Sequence, residues 1–205
     1  MAPKQDVSED RRAQILDAAA KVFSKKGFSG SRMDDIVEAS GLSKGLLYWY
    51  FKSKDAIIVA LLDRLVAGEM GHIGRLPTEG GSARERLARL SHKTVKELNA
   101  MNKLLPITFD YYSLASRNKA VKKLFKGYME TYYRSFSEVI SQGVRAGEFS
   151  PVDERVAGIA FGAIIEGTIL LWLFDRESIK IGEQIETATE LFLRGLEAKV
   201  PGGTA

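Results

Sequence analysis

Between Ser31 and Lys54 the chain reads SRMDDIVEASGLSKGLLYWYFKSK, and no other stretch restricts the fold so tightly. Two short helices joined by a glycine turn are what these residues favour. Asp34 and Asp35 put negative charge in the first turn of the first helix, where the helix dipole favours it, and Ser31 is expected to cap that helix. Ile36 and Ala39 are expected on its inner face. Gly41 supplies the left-handed residue that ends it, Leu42 plugs the turn from below, and Ser43 caps the second helix.

The second helix, Lys44 to Phe51, sorts its side chains when each is placed about 100° from the last. Leu47 and Phe51 share the arc toward the protein, with Tyr50 beside them. Gly45, Tyr48 and Trp49 share the opposite arc, flanked by Lys44 and Leu46. An exposed helical glycine costs about 1 kcal/mol relative to alanine, which makes sense where another surface must approach the backbone. Phenol, indole and ammonium groups around that glycine suit a phosphate backbone and base edges. Lys52 and Lys54 follow, and no acid lies between residues 43 and 54. The pattern is that of a helix-turn-helix whose second helix enters a major groove.

From Arg11 to about Ile58, the segments RRAQILDAAAKVFSKKGF and MDDIVEASGLSKGLLYWYFKSKDAI resemble, in order and spacing, the DNA-binding domain of the TetR family of bacterial repressors. The resemblance implies an all-α fold: an N-terminal three-helix helix-turn-helix domain, residues 1–55, followed by a larger helical ligand-binding and dimerisation domain, residues 56–200. It implies a double-stranded DNA operator, a small-molecule effector and a homodimer. Carried over from the family's contact positions are Lys44, Gly45, Tyr48, Trp49, Tyr50 and Lys54, with Arg32 and Leu46 at positions where this chain departs from the pattern. Leu46 stands where threonine is common, so a hydroxyl is missing. Arg32 stands where many relatives carry the Ser or Thr cap, and is expected to reach a phosphate instead.

Elsewhere the chain reads as helices. Ser8 caps the first, Ile15, Ala19, Val22 and Phe23 make its buried stripe, and Gly27 ends it so that Phe28 folds back on Phe23. A long helix runs from about Asp55 to Arg75 and connects the two domains. Further helices follow the loop LPTEGGS, Pro106, and Asn118, where Val121 to Val144 give the cleanest period; Gly147 ends that one, and Ser150 to Glu154 start the next. No segment alternates with period two.

With no cysteine among 205 residues, disulfides and thiolate chemistry are excluded, and a cytoplasmic location is expected; the polar start MAPKQDVSEDRR carries no apolar signal segment. Net charge is only +4, with ten Lys or Arg against eight Asp or Glu in residues 1–55, so bulk charge says little about nucleic acid. The segment Val156 to Phe174 carries a single charge, Glu166. A membrane span needs about 20 apolar residues, but a central acid is expensive in lipid and the flanks carry no positive-inside bias. Burial on every side is the expectation, with Gly158, Gly162, Ala163 and Gly167 permitting close helix approach, and the family resemblance makes this helix and the last one a dimer interface. Glu69 and His72 form one Glu-x-x-His step, but Arg89 precedes His92 where a second would need an acid, so no metal site is expected. No catalytic constellation and no cofactor motif is present either.

Met101, Phe109, Tyr112, Phe125, Met129, Phe161, Glu166 and Trp172 are the candidate effector residues: aromatic, pliable or polar-tipped side chains of the kind that line small-molecule pockets, though any one of them also suits a core. The expected function is a homodimeric transcription repressor released from a palindromic operator by an effector. Two alternatives stay open on the residues alone: a helical small-molecule-binding enzyme or carrier that retains the N-terminal motif, and a DNA-binding protein without an effector.

Overall fold

The computed structural model describes residues 7–100 and 106–197. Among these the chain forms nine α-helices, α1 (Val7–Gly30), α2 (Met33–Ser40), α3 (Lys44–Tyr50), α4 (Lys54–Arg75), α5 (Ala83–Ala100), α6 (Pro106–Arg117), α7 (Lys119–Arg145), α8 (Glu154–Phe174) and α9 (Ile181–Leu196), with a 3-10 turn at Leu76–Thr78. Beyond helix, the described residues contain one antiparallel bridge, Phe149 to Glu197. The fold is all-α, as expected. It separates into two compact units: Met1–Gly68 with Asn102–Phe125, and Glu69–Met101 with Lys126–Ala205.

The first unit is built on the helix-turn-helix. Ile15, Leu16, Ala19 and Phe23 of α1 bury one stripe against Ile36 of α2, Leu47 of α3 and Phe51. Gly27, at φ 69°, breaks α1 and lets the Phe28 ring meet Phe23 edge-on at 5.5 Å. Residue 55, where the sequence reading divides the chain, falls in the first turn of α4. The compact unit runs past it because Ile57, Ile58, Leu61 and Leu62 are buried in the same core, together with Leu114 and Val121. Two local expectations are corrected. Ser31 does not cap α2: its hydroxyl donates to the Phe28 carbonyl at 2.8 Å, and Arg32 is the N-cap, its N–H donating to Asp35 Oδ2 at 2.6 Å. Ala39 is exposed, and Ser40 takes the inner position beside Ile36.

The second unit packs α5, most of α7, α8 and α9. Its centre is an aromatic run in which Tyr132, Phe136, Phe161 and Phe192 stand ring to ring at 5.0 to 5.3 Å. Each fully buried Phe contributes about 1.5–3 kcal/mol by leaving water. Arg86 is the buried charge of this core. It donates to the carbonyls of Leu76 and Pro77 and to Gln142 Oε1 at 2.7 Å, tying the 3-10 turn to α7. Gly147, at φ 75°, closes α7, and the Glu148 carboxylate accepts the N–H groups of Ala83 and Arg84 at the head of α5.

Helix α8 is long and apolar enough, by length and composition, to cross a membrane. The expectation of burial on every side is not met within one chain. Gly158, Phe161, Gly162, Ile165, Thr168 and Trp172 are buried, whereas Val156, Leu170, Leu171 and Phe174 are exposed. The small residues divide along the same line. A Cβ on Gly158 would lie 2.6 Å from Ser137 Oγ and 2.8 Å from its backbone N, so that glycine serves the approach of α8 to α7 inside the chain. Gly162 also faces α7, at ordinary contact distance from Phe136 and Tyr133, while a Cβ on Gly167 would meet nothing within 4 Å.

Candidate nucleic-acid interface

Local sequence sets the geometry of α3. Gly41, at φ 68°, ends α2, its N–H reaching the Val37 carbonyl at 3.1 Å, and Ser43 Oγ accepts the Leu46 N–H at 3.3 Å to start α3. Gln14 of α1 donates to the Ser40 carbonyl at 2.8 Å, which pins the turn from behind. Leu47 is sealed in the core and Leu46 is half-buried. On the opposite side Lys44 and Gly45 are exposed, Tyr48 is 36% exposed and Trp49 66%. A Cβ on Gly45 would meet nothing within 4 Å. The protein's own packing therefore does not require that glycine.

The remaining candidates are placed differently from one another. Tyr50 is half-buried against the first core, its ring edge-on to Trp49 at 4.7 Å and its hydroxyl 3.5 Å from Ser8 Oγ. Arg32 is exposed at the head of α2. Lys54 is turned inward: its ammonium donates to the carbonyls of Phe28 and Ser31 and lies 4.3 Å from the centre of the Phe28 ring. It thus fastens the start of α4 to the segment that leads into α2. The sequence reading missed this role, and it also missed the pairing of Asp34 with Lys44. The Asp34 carboxylate lies 2.7 Å from Lys44 Nζ, and that hydrogen bond and charge raise the lysine pKa above its ordinary value. Asp35, bonded first to Lys26 at 2.7 Å and then to the Arg32 N–H, is held below the usual carboxylate range.

The eight candidate effector residues are divided between the two units. Met101 and the side chain of Phe109 lie outside the described residues. Tyr112 and Phe125 pair edge-on at 5.6 Å in the first unit. In the second unit Phe161 is fully buried in the aromatic run, Trp172 is buried under the Arg176 guanidinium at 4.6 Å, and Glu166 is half-buried on α8. Met129 accepts the Tyr133 hydroxyl at 3.5 Å and lines a cleft of about 690 Å³ between α7 and the start of α8. A cleft of about 600 Å³ in the first unit is lined by Phe51, Val59, Asp63, Leu124 and others, none of them among the eight. No group of three or more metal-binding side chains occurs among the described residues.

Residues 15–61 match the family of bacterial regulatory proteins of the tetR family, and residues 83–196 match the C-terminal part of BetI-type transcriptional repressors. The chain belongs to the TetR family. This TetR-family chain is 29% identical to the HTH-type transcriptional regulator YfiR of Bacillus subtilis, over 95% of its own length and 96% of the relative's. It is 25% identical to the regulator TtgR of Pseudomonas putida, with 89% of each chain covered. A transcriptional regulator of Saccharomonospora viridis, solved in complex with choline, shares the fold with a TM-score of 0.82 at 19% identity, covering 93% of this chain and all of that one. The TetR-family chain is therefore a transcription regulator with a helix-turn-helix DNA-binding domain and not an enzyme, which disposes of the enzyme-or-carrier alternative.

Proposed function

We propose that this regulator is a homodimeric repressor that grips a two-fold-symmetric operator through α3 and lets go when a small molecule binds. The observation that carries the DNA reading is the outward face of α3: a lysine, a phenol and an indole exposed around a glycine that no packing within the protein calls for. Lys44 and Arg32 supply charge for phosphates. Gly45 and Leu46 allow the helix to press against base edges, and Tyr48 and Trp49 supply flat area and a donor each. Tyr50 and Lys54 are assigned to holding α3 and the head of α4 in place. Selection of bound duplexes from a random pool tests the reading. The expected winners carry inverted half-sites about 34–36 Å apart, one helical turn of DNA; a pool that shows no enrichment overturns it.

The dimer reading is supported by the apolar surface on α8 and α9. Val156, Leu171, Phe174 and Leu191 are 62%, 61%, 76% and 65% exposed in the single chain. Several large apolar side chains exposed on two helices suit a protein interface, and a two-fold axis lets one face serve both copies. The same covering argues against a membrane role for α8.

The effector reading is supported by relatives solved with ligands: the Saccharomonospora protein with choline, the Bacillus subtilis regulator FadR with stearoyl-CoA, and SmeT with triclosan. Those ligands share no chemistry, so the effector class does not transfer. Helix α4 runs from residues of the first unit into residues of the second, and a ligand that tilts it would change the spacing of paired α3 helices. Release is limited to the amount by which the ligand prefers the mis-spaced state. Glu166→Gln tests the acid's part in this. Lost induction with intact operator binding makes it an effector contact, and normal induction with a lower melting temperature assigns it to the fold.

A further inference from the structure

We propose that Asp34 is an internal substitute for DNA phosphate, which occupies the Lys44 ammonium in the free protein and so restrains binding to DNA that offers charge without the right sequence. The inference rests on the reading of Lys44 as a phosphate contact. Its basis is the pairing itself: Asp34 Oδ1 stands 2.7 Å from Lys44 Nζ, with both side chains in water, 68% and 62% exposed. Residues 43–54 contain no acid of their own, so the carboxylate that neutralises the head of α3 comes from α2.

Its neighbour shows what a structural acid in the same turn looks like. Asp35 takes the Arg32 backbone N–H at 2.6 Å and the Lys26 ammonium at 2.7 Å, and so completes the cap of α2. Asp34 takes no backbone N–H, and Lys44 is its partner among the described residues. The cap of α2 therefore does not depend on it.

A phosphate that binds Lys44 displaces this carboxylate or shares the ammonium with it, and in either case has a like charge beside it. Random-sequence binding consists almost wholly of phosphate contacts, so the loss of one weighs most there. A recognition helix seated on its own sequence has base contacts as well, and holds Lys44 against phosphate by position.

The test measures binding of a random-sequence duplex over a range of salt by fluorescence anisotropy, for wild type, Asp34→Asn, Lys44→Ala and the double variant. Asp34→Asn is expected to bind about two- to five-fold tighter, the range of an exposed ion pair, with at most a small fall in melting temperature from the lost first-turn charge. Its salt slope should steepen by up to about 0.9, one phosphate's worth. The double variant should bind like Lys44→Ala. Equal affinity of Asp34→Asn and wild type overturns the inference, and so does a gain that survives undiminished without Lys44, which would make Asp34 a source of general repulsion. If Lys44→Ala alone leaves affinity and slope unchanged, the phosphate-contact reading fails and takes the inference with it.

Discussion

Helices α3 and α8 both leave in water side chains that a solitary protein would cover, but they differ in chemistry. On α3 the exposed aromatics Tyr48 and Trp49 share their face with Lys44 and a glycine without near neighbours. On α8 the exposed set is Val156, Leu170, Leu171 and Phe174, with Leu191 exposed on α9, and none of them carries a hydrogen-bonding side chain. A hydrated, charged partner rewards donors and flat rings, whereas aliphatic groups gain only when water is removed from both sides. On the proposed reading the polarity of each exposed set fits its partner, DNA for α3 and a second copy of the chain for α8.

The largest expected effect lies on the dry surface. If the proposed dimer forms through this face, Leu171→Glu with Phe174→Glu should leave a monomer at micromolar concentration. The two side chains bury roughly 1.5–3 kcal/mol each on association, and the new acids cannot be buried unpaired. Helix content should be kept, since both positions are exposed in the single chain. Sedimentation that still shows a tight dimer would remove α8 from the interface. The glycines then separate the inner face of α8 from the outer one in that monomeric background. Gly158→Ala should lower stability by about 1–3 kcal/mol through overpacking on Ser137. Gly167→Ala should gain up to about 1 kcal/mol from helix propensity alone. Thermal melts in which the two behave alike would erase the distinction between the faces.

On the wet surface the effects are smaller and read out in DNA. Lys44→Ala should weaken every duplex alike and flatten the salt slope by about one. Tyr48→Ala and Trp49→Ala should each weaken the selected duplex roughly ten-fold, near 1.4 kcal/mol, with little change in melting temperature. Gly45→Ala or Leu46→Thr should instead shift which half-site is chosen. Wild-type affinity in the Lys44 and Tyr48 variants together would break the assignment of α3 to the groove.

Why the helix-turn-helix was readable and the effector site was not follows from range. Gly41, Ser43 and Leu47 act on residues within one or two turns, so their roles are written beside them. Lys54 acts on carbonyls of Phe28 and Ser31, more than twenty residues earlier, and no local pattern announces that. Asp34 reached Lys44 only once the turn had folded. The eight-residue α2 is too short for its period to separate Ala39 from Ser40. In α8 the pattern has no phase because both faces are apolar, so Gly158 and Gly167 look equivalent until their neighbours are known. The same holds for the candidate effector residues: Phe161 fills a core, Met129 lines a cleft, and spacing along a helix treats them alike.

The smallest expected effect is acid sensitivity, which should follow the polar caps of the DNA-binding unit. The Lys26 ammonium, and after it the Arg32 N–H, hold the Asp35 carboxyl below the ordinary aspartate value. A group whose pKa is lower folded than unfolded binds its proton more readily in the unfolded chain. It therefore stabilises the fold at neutral pH, and that contribution is lost as pH falls from the unfolded value of about 3.9 through the folded one. Asp35→Asn, which keeps the shape but not the charge, should melt below wild type at neutral pH. The gap should begin to narrow as pH falls below about 4 and close only below the lowered folded value, where the folded wild-type carboxyl is protonated too. Melting curves taken at a series of pH values check this. A gap that stays constant down to the most acid point would mean that Asp35 acts through its hydrogen-bonding shape alone, and its ion pair with Lys26 would then count for nothing.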